Sequence, residues 1–117
     1  MNRAEFSRRV DGVLAELPSW VIEQIDNLVV RVADRPTSDQ DPDGNGLLGI
    51  YEGVPLADRG VDYFGYAPDQ IIIFYLPHVD LGLSDAEMSD EIRVTVLHEI
   101  AHHLGIDDQR LHELGWG

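Results

Sequence analysis

Apolar and polar residues recur along this chain in two rhythms, and each predicts a different element. In residues 3–16, Phe6, Val10, Val13 and Leu14, with Leu17 beyond, fall at near-helical spacing among charged neighbours. That spacing predicts an amphipathic helix packed by one face. Pro18 stops it, and Ser19-Trp20-Val21-Ile22 opens a second short helical turn reaching about Ile25. Asn27 to Asp34, NLVVRVAD, is rich in β-branched residues and reads as a strand. Pro36 to Gly46, PTSDQDPDGNG, is a loop by every breaker signal. Leu47 to Leu56 (LLGIYEGVPL) reads as a strand interrupted by glycine, and Gln70 to Leu76 (QIIIFYL) is the strongest strand of all. Leu81 to Ser89 is a connector carrying a capping-box signal from Ser84 to Glu87. The last long helix is expected from about Asp90 to Leu104. Asp90 and Glu91 suit its positive end, and Gly105 suits its left-handed terminus. The pattern predicts one α+β domain over residues 1–117, with N-terminal helices, a small mixed sheet and a C-terminal helix.

That last helix carries the chemistry, in HEIAHHLGIDD at residues 98–108. Residues four apart on a helix stand one turn above each other, so His98 and His102 present two imidazoles to one point. Two such nitrogens can hold zinc at about 2.0–2.1 Å each. Glu99 lies beside that point and is placed to act as a general base toward water. Gly105 lets the chain turn back, so Asp108 is favoured by spacing as the third ligand. Asp107, His112 and Glu113 remain alternatives. Two histidines and a carboxylate leave one coordination position open, which suits a catalytic rather than a structural zinc. Val94, Leu97, Ala101 and Leu104 form the apolar stripe expected to anchor the helix, with His98, Glu99 and His102 on the opposite flank. His103 points about 100° from His102 and is expected at the core edge. The competing explanation is a surface helix that spells HExxH by chance. The glycine and aspartate at matching offsets weigh against it.

HEIAHHLGIDD followed by QRLHELGW resembles the short, mainly bacterial minimal zincin-like proteins, and LLGIYEGVPL and PDQIIIFYLP resemble that family's upstream segments. The resemblance covers roughly residues 20–117. It implies a zincin-like fold and a zinc peptidase activity, with one zinc ion held by His98, His102 and Asp108 and with Glu99 as general base. It departs from larger metzincins in two respects. No methionine follows Asp108, since Met88 lies upstream, and no tyrosine follows it to steady an oxyanion. That role would fall to His112, His103, Arg110, Tyr75 or His78.

Zincins commonly bind extended peptide along an edge strand beside the metal helix. QIIIFYL is the candidate here, with Ile71, Ile73 and Tyr75 toward one side and Ile72, Phe74 and Leu76 toward the other. Its continuous apolar character equally fits a central strand buried on both faces. A second motif lies in DPDGNGLLGIYE, where Asp41, Asp43, Asn45, Gly46 and Glu52 match the EF-hand calcium pattern. No helix is expected on either side of it, and the same residues make ordinary tight turns, so the turn reading is preferred over a calcium site.

Composition narrows the remaining classes. The chain carries 22 acids against 8 bases, a net charge of −14, which excludes phosphate-neutralising nucleic acid binding and attraction to anionic membranes. There is no cysteine, hence no disulfide framework and no thiolate metal site. No apolar run approaches the roughly 20 residues of a membrane span, and the N-terminus lacks a signal sequence's continuous apolar centre. The expected partner is a peptide or protein substrate in the cytoplasm. The expected function is a zinc metallopeptidase, with a non-catalytic zinc-containing peptide-binding or structural protein as the alternative.

Overall fold

The computed structural model describes residues 1–60 and 67–116. Helix α1 spans Arg3–Ala15, capped by the Asn2 side chain, which accepts from the Glu5 N–H at 2.9 Å. Phe6, Val10 and Leu17 are buried, and Val13 and Leu14 pack at the core's margin, as their spacing predicts. Pro18 ends this segment and starts α2, Ser19–Gln24.

Strands β1 (Leu28–Ala33), β2 (Gly49–Glu52) and β3 (Asp69–Phe74) form a three-stranded sheet in the order β1-β3-β2. β1 runs parallel to β3, from Leu28 beside Asp69 to Ala33 beside Phe74. β2 runs antiparallel to it, from Gly49 beside Ile73 to Glu52 beside Gln70. QIIIFYL is therefore the centre of the sheet, with both backbone edges occupied. Ile71, Ile72, Ile73 and Phe74 are all buried.

The strand expected over Leu47–Leu56 is confined to Gly49–Glu52, and Leu56 opens a short 3-10 turn. Two further boundaries differ from expectation, each for a local reason. The strand stops at Phe74, and Tyr75–Val79 forms helix α3. Pro77 marks a helix start there, because first-turn N–H groups have no intrahelical acceptor and a proline loses nothing in that turn. The long helix α4 runs Asp85–Leu104, beginning before the expected Asp90. Its true start is the capping box: the Ser84 hydroxyl accepts from the Glu87 N–H at 3.2 Å, and Glu87 accepts from the Ser84 N–H at 3.1 Å. Gly105 ends α4 in the left-handed conformation, at φ 77°.

α4 packs against α1, β2 and β3. Ile92, Val96 and Ile100 are fully buried along it, joined by Leu97, Ala101 and Leu104. Val94, placed in the anchoring stripe by spacing, is instead 41% exposed. A helix packed on two sides buries a wider arc, and that arc is centred on Ile92, Val96 and Ile100. Each of those aliphatic side chains stabilises the fold by roughly 1.5–3 kcal/mol through burial. Helix α5, Asp108–Glu113, follows the Gly105 turn and is fixed by buried Leu111. Among the described residues, no helix is long and apolar enough to cross a membrane.

Candidate metal centre

One helical turn of α4 brings His98 and His102 together, with ring centroids 4.7 Å apart in an edge-on arrangement. Both histidines are half-buried. Glu99 lies beside them and is buried, and its Oε1 stands 3.0 Å from His102 Nδ1. Burial raises the Glu99 carboxyl above its ordinary range, partly opposed by the charge of His98. A carboxyl so shifted takes up a proton more readily than an exposed one.

Strand β2 forms the facing wall. A cleft of about 410 Å³ lies between Leu47, Gly49, Ile50 and Tyr51 on one side and His98, Glu99 and His102 on the other. Gly49 sets how closely the walls approach: a Cβ there would meet Thr95 Cγ2 at 2.8 Å and Glu99 Cγ at 3.4 Å. Only a residue without a side chain lets β2 lie this near Thr95, one turn before Glu99 on α4. β2 pairs with β3 alone among the described residues, so it is an edge strand whose outer side has no strand partner there. Sequence reasoning missed this wall, although the glycine interrupting LLGIYEGVPL marked the close approach.

The peptide-binding edge expected at Ile71, Ile73 and Tyr75 is corrected by the sheet order. Ile71 and Ile73 are 0% exposed in a strand paired on both sides. Tyr75 lies in α3 and donates its hydroxyl to the Met1 carbonyl at 2.9 Å. Most of the residues considered for oxyanion support are likewise engaged. His78 bonds Phe74 O and Thr95 Oγ1, and Arg110 pairs with Glu113 at 3.1 Å. Buried His103 donates from Nδ1 to Asp69, and its Nε2 accepts the Asp26 N–H. His112 alone of the five is exposed on α5 without such an engagement among the described residues.

The EF-hand-like loop is a turn. Asp41 accepts from the Asn45 and Leu47 N–H groups at 3.0 and 3.2 Å, and these backbone bonds hold its carboxyl below the ordinary value. Glu52 accepts from Gln40 at 2.6 Å. Two members of the calcium set, Asp41 and Glu52, are thus spent on closing the loop, and among the described residues no helix directly flanks it.

Comparison with known proteins bears on this α4–β2 arrangement. A family model described as zincin-like metallopeptidase matches residues 25–116, most of the chain. The chain belongs to the zincin-like metallopeptidase family. The fold is also similar to that of a conserved hypothetical protein from Thermo thermophilus. That likeness has a TM-score of 0.60 at 23% identity, covering 89% of this chain and 94% of the other. No curated protein matches.

Membership of the zincin-like family implies zinc, and the donors of this zincin-like chain suit it in part. His98 and His102 supply two imidazoles on one helix face, the ligand chemistry zinc prefers. Among the described residues, no group of three His, Cys, Asp or Glu side chains is arranged to hold a metal. Asp108 sits exposed at the first position of α5, outside the histidine pair. Asp107 is committed as the α5 cap, accepting from the Arg110 N–H at 2.8 Å. Of the acids following Gly105, that leaves Asp108 as the carboxylate without a hydrogen bond or ion pair among the described residues.

Proposed function

We propose that this zincin-like protein hydrolyses peptide bonds of an extended polypeptide laid along the outer edge of β2. His98, His102 and Asp108 would hold one zinc ion, and zinc supplies Lewis-acid chemistry when bound, acidifying water and polarising a carbonyl. Glu99 is the general base and then the proton donor to the departing amine. The observation that carries this reading is the placement of Glu99. It is a buried carboxyl of raised proton affinity, beside both histidines, in a cleft whose other wall includes residues of the edge strand β2. An edge strand offers a peptide main-chain hydrogen bonds along its length, which orients the bond to be cut. A general base works best when its pKa approaches the working pH, and burial moves Glu99 in that direction.

Glu99→Gln keeps the shape of the side chain and removes its capacity to accept a proton. The variant is expected to bind zinc like the parent and to lose hydrolysis by roughly 10²–10⁴-fold. Metal content by mass spectrometry and a cleavage profile over a mixed peptide library measure the two halves separately. Undiminished turnover in Glu99→Gln would remove the mechanism. A zinc-loaded parent that cuts nothing would favour a non-catalytic zinc protein.

A further inference from the structure

Behind the cleft lies a polar cluster that the proposed chemistry does not use, built on one buried carboxylate. Asp69, at the start of β3, is 2% exposed and gathers donors from three other segments. Tyr51 of β2 donates its hydroxyl to it. Arg59 reaches it at 2.7 Å and the Val54 N–H at 3.3 Å, both from the loop after β2. His103 of α4 completes the set at 3.1 Å. Burial alone would raise the Asp69 carboxyl, but these four donors outweigh it and hold the carboxyl below its ordinary value. Gly53 is required by the same group, since a Cβ there would collide with the Asp69 carboxylate.

Two of the donors are also parts of the cleft or its immediate support. Tyr51 is one of the residues lining the cleft, and its ring meets the His103 ring edge-on at 5.9 Å. His103 is the residue following His102 on α4, and its other nitrogen accepts the Asp26 N–H at 3.2 Å. One carboxylate therefore ties a residue of the β2 wall to the α4 residue that follows His102. Stability alone does not account for this expenditure of polar groups. A buried ion pair such as Arg59–Asp69 gains little over apolar packing of equal volume, because desolvation offsets the attraction. Directional bonds from fixed donors set distances that apolar packing leaves looser.

We infer that Asp69 is a positioning residue for the metal centre, setting the separation and orientation of Tyr51 and the His102 turn of α4. The inference rests on the zinc reading above. The test is Co²⁺ binding to the full chain, followed by titration and by the d–d absorption of the bound ion. Asp69→Asn is expected to weaken Co²⁺ binding about tenfold, the lower end of what losing supporting bonds behind a metal site brings, and to shift the absorption bands. Tyr51→Phe removes one donor only and is expected to weaken binding about threefold, which decides the matter if Asp69→Asn fails to fold. Phe6→Leu, on the buried face of α1, serves as a comparison that lowers melting temperature without touching the cluster. Wild-type affinity and spectrum in Asp69→Asn or, if that variant does not fold, in Tyr51→Phe would overturn the inference. So would an equal loss in Phe6→Leu at a matched melting temperature. A parent chain that binds neither Co²⁺ nor Zn²⁺ would overturn the zinc reading itself and this inference with it.

Discussion

His78 provides the sharpest test of how the core responds to pH. It is 0% exposed, with Nδ1 at 2.6 Å from Phe74 O and Nε2 at 3.0 Å from Thr95 Oγ1. The Phe6 ring stands edge-on at 5.1 Å. Burial lowers its pKa below the ordinary 6.5, against the opposing pull of the Phe74 carbonyl and of Glu91. Between the folded-state value and 6.5, the unfolded chain holds a proton that the folded chain lacks. The stability tied to the neutral ring is therefore complete above about pH 6.5 and is lost as pH falls from there toward the folded value. For one proton the slope is at most about 1.4 kcal/mol per pH unit. With a urea dependence of about 1–3 kcal/mol per molar, the denaturation midpoint moves by at most roughly 0.5–1.4 molar per pH unit. His78→Asn retains a donor toward Phe74 O, cannot titrate, and is expected to cost about 1–2 kcal/mol at pH 7.5 through the lost Thr95 bond and ring volume. Urea denaturation of both proteins from pH 7.5 to 5.5, in the presence of chelator, isolates the term as their difference. A difference that stays constant across that range, or grows as pH falls, would refute the reasoning.

Two further substitutions test how the cleft and its helix are built. Gly49→Val places side-chain carbon within 2.8 Å of Thr95 and within 3.3 Å of Ile72 O. It is expected to destabilise the fold by about 1–3 kcal/mol in urea and to abolish peptide cleavage by forcing β2 away from Glu99. Ser84→Ala removes the cap that marks the true start of α4 and is expected to cost about 1 kcal/mol of stability with cleavage retained. Loss of activity in that variant would show that the first turn of α4 affects the distant histidines.

Periodicity was informative wherever one face of an element packs and the other meets water. Phe6, Val10 and Leu17 announce α1 for that reason, and the β-branched run of β1 announces a strand. Periodicity fails where an element is buried on more than one side. α4 packs on α1 and on the sheet, so its apolar residues fill a wide arc, and Val94 was assigned to a stripe it does not join. Ile71 to Phe74 face apolar neighbours on both surfaces, and an apolar run of that kind does not reveal whether its backbone edges are free. Pro77 carries two meanings, a strand's end and a helix's first turn, and composition does not choose between them.

The site divides along the same line. His98, Glu99 and His102 are legible because helical geometry alone brings them together, within one turn of chain. The facing wall and the Asp69 cluster join residues 26, 51, 53, 54, 59, 69 and 103, and no local spacing relates them. Single glycines are the trace such contacts leave in a sequence. Gly49 stands where β2 meets Thr95 of α4 and Gly53 where the chain passes the Asp69 carboxylate, each at a distance that a Cβ would close. An interrupting glycine in an otherwise apolar strand thus points to where another segment comes close. In this fold both such glycines lie beside the residues that build or support the cleft.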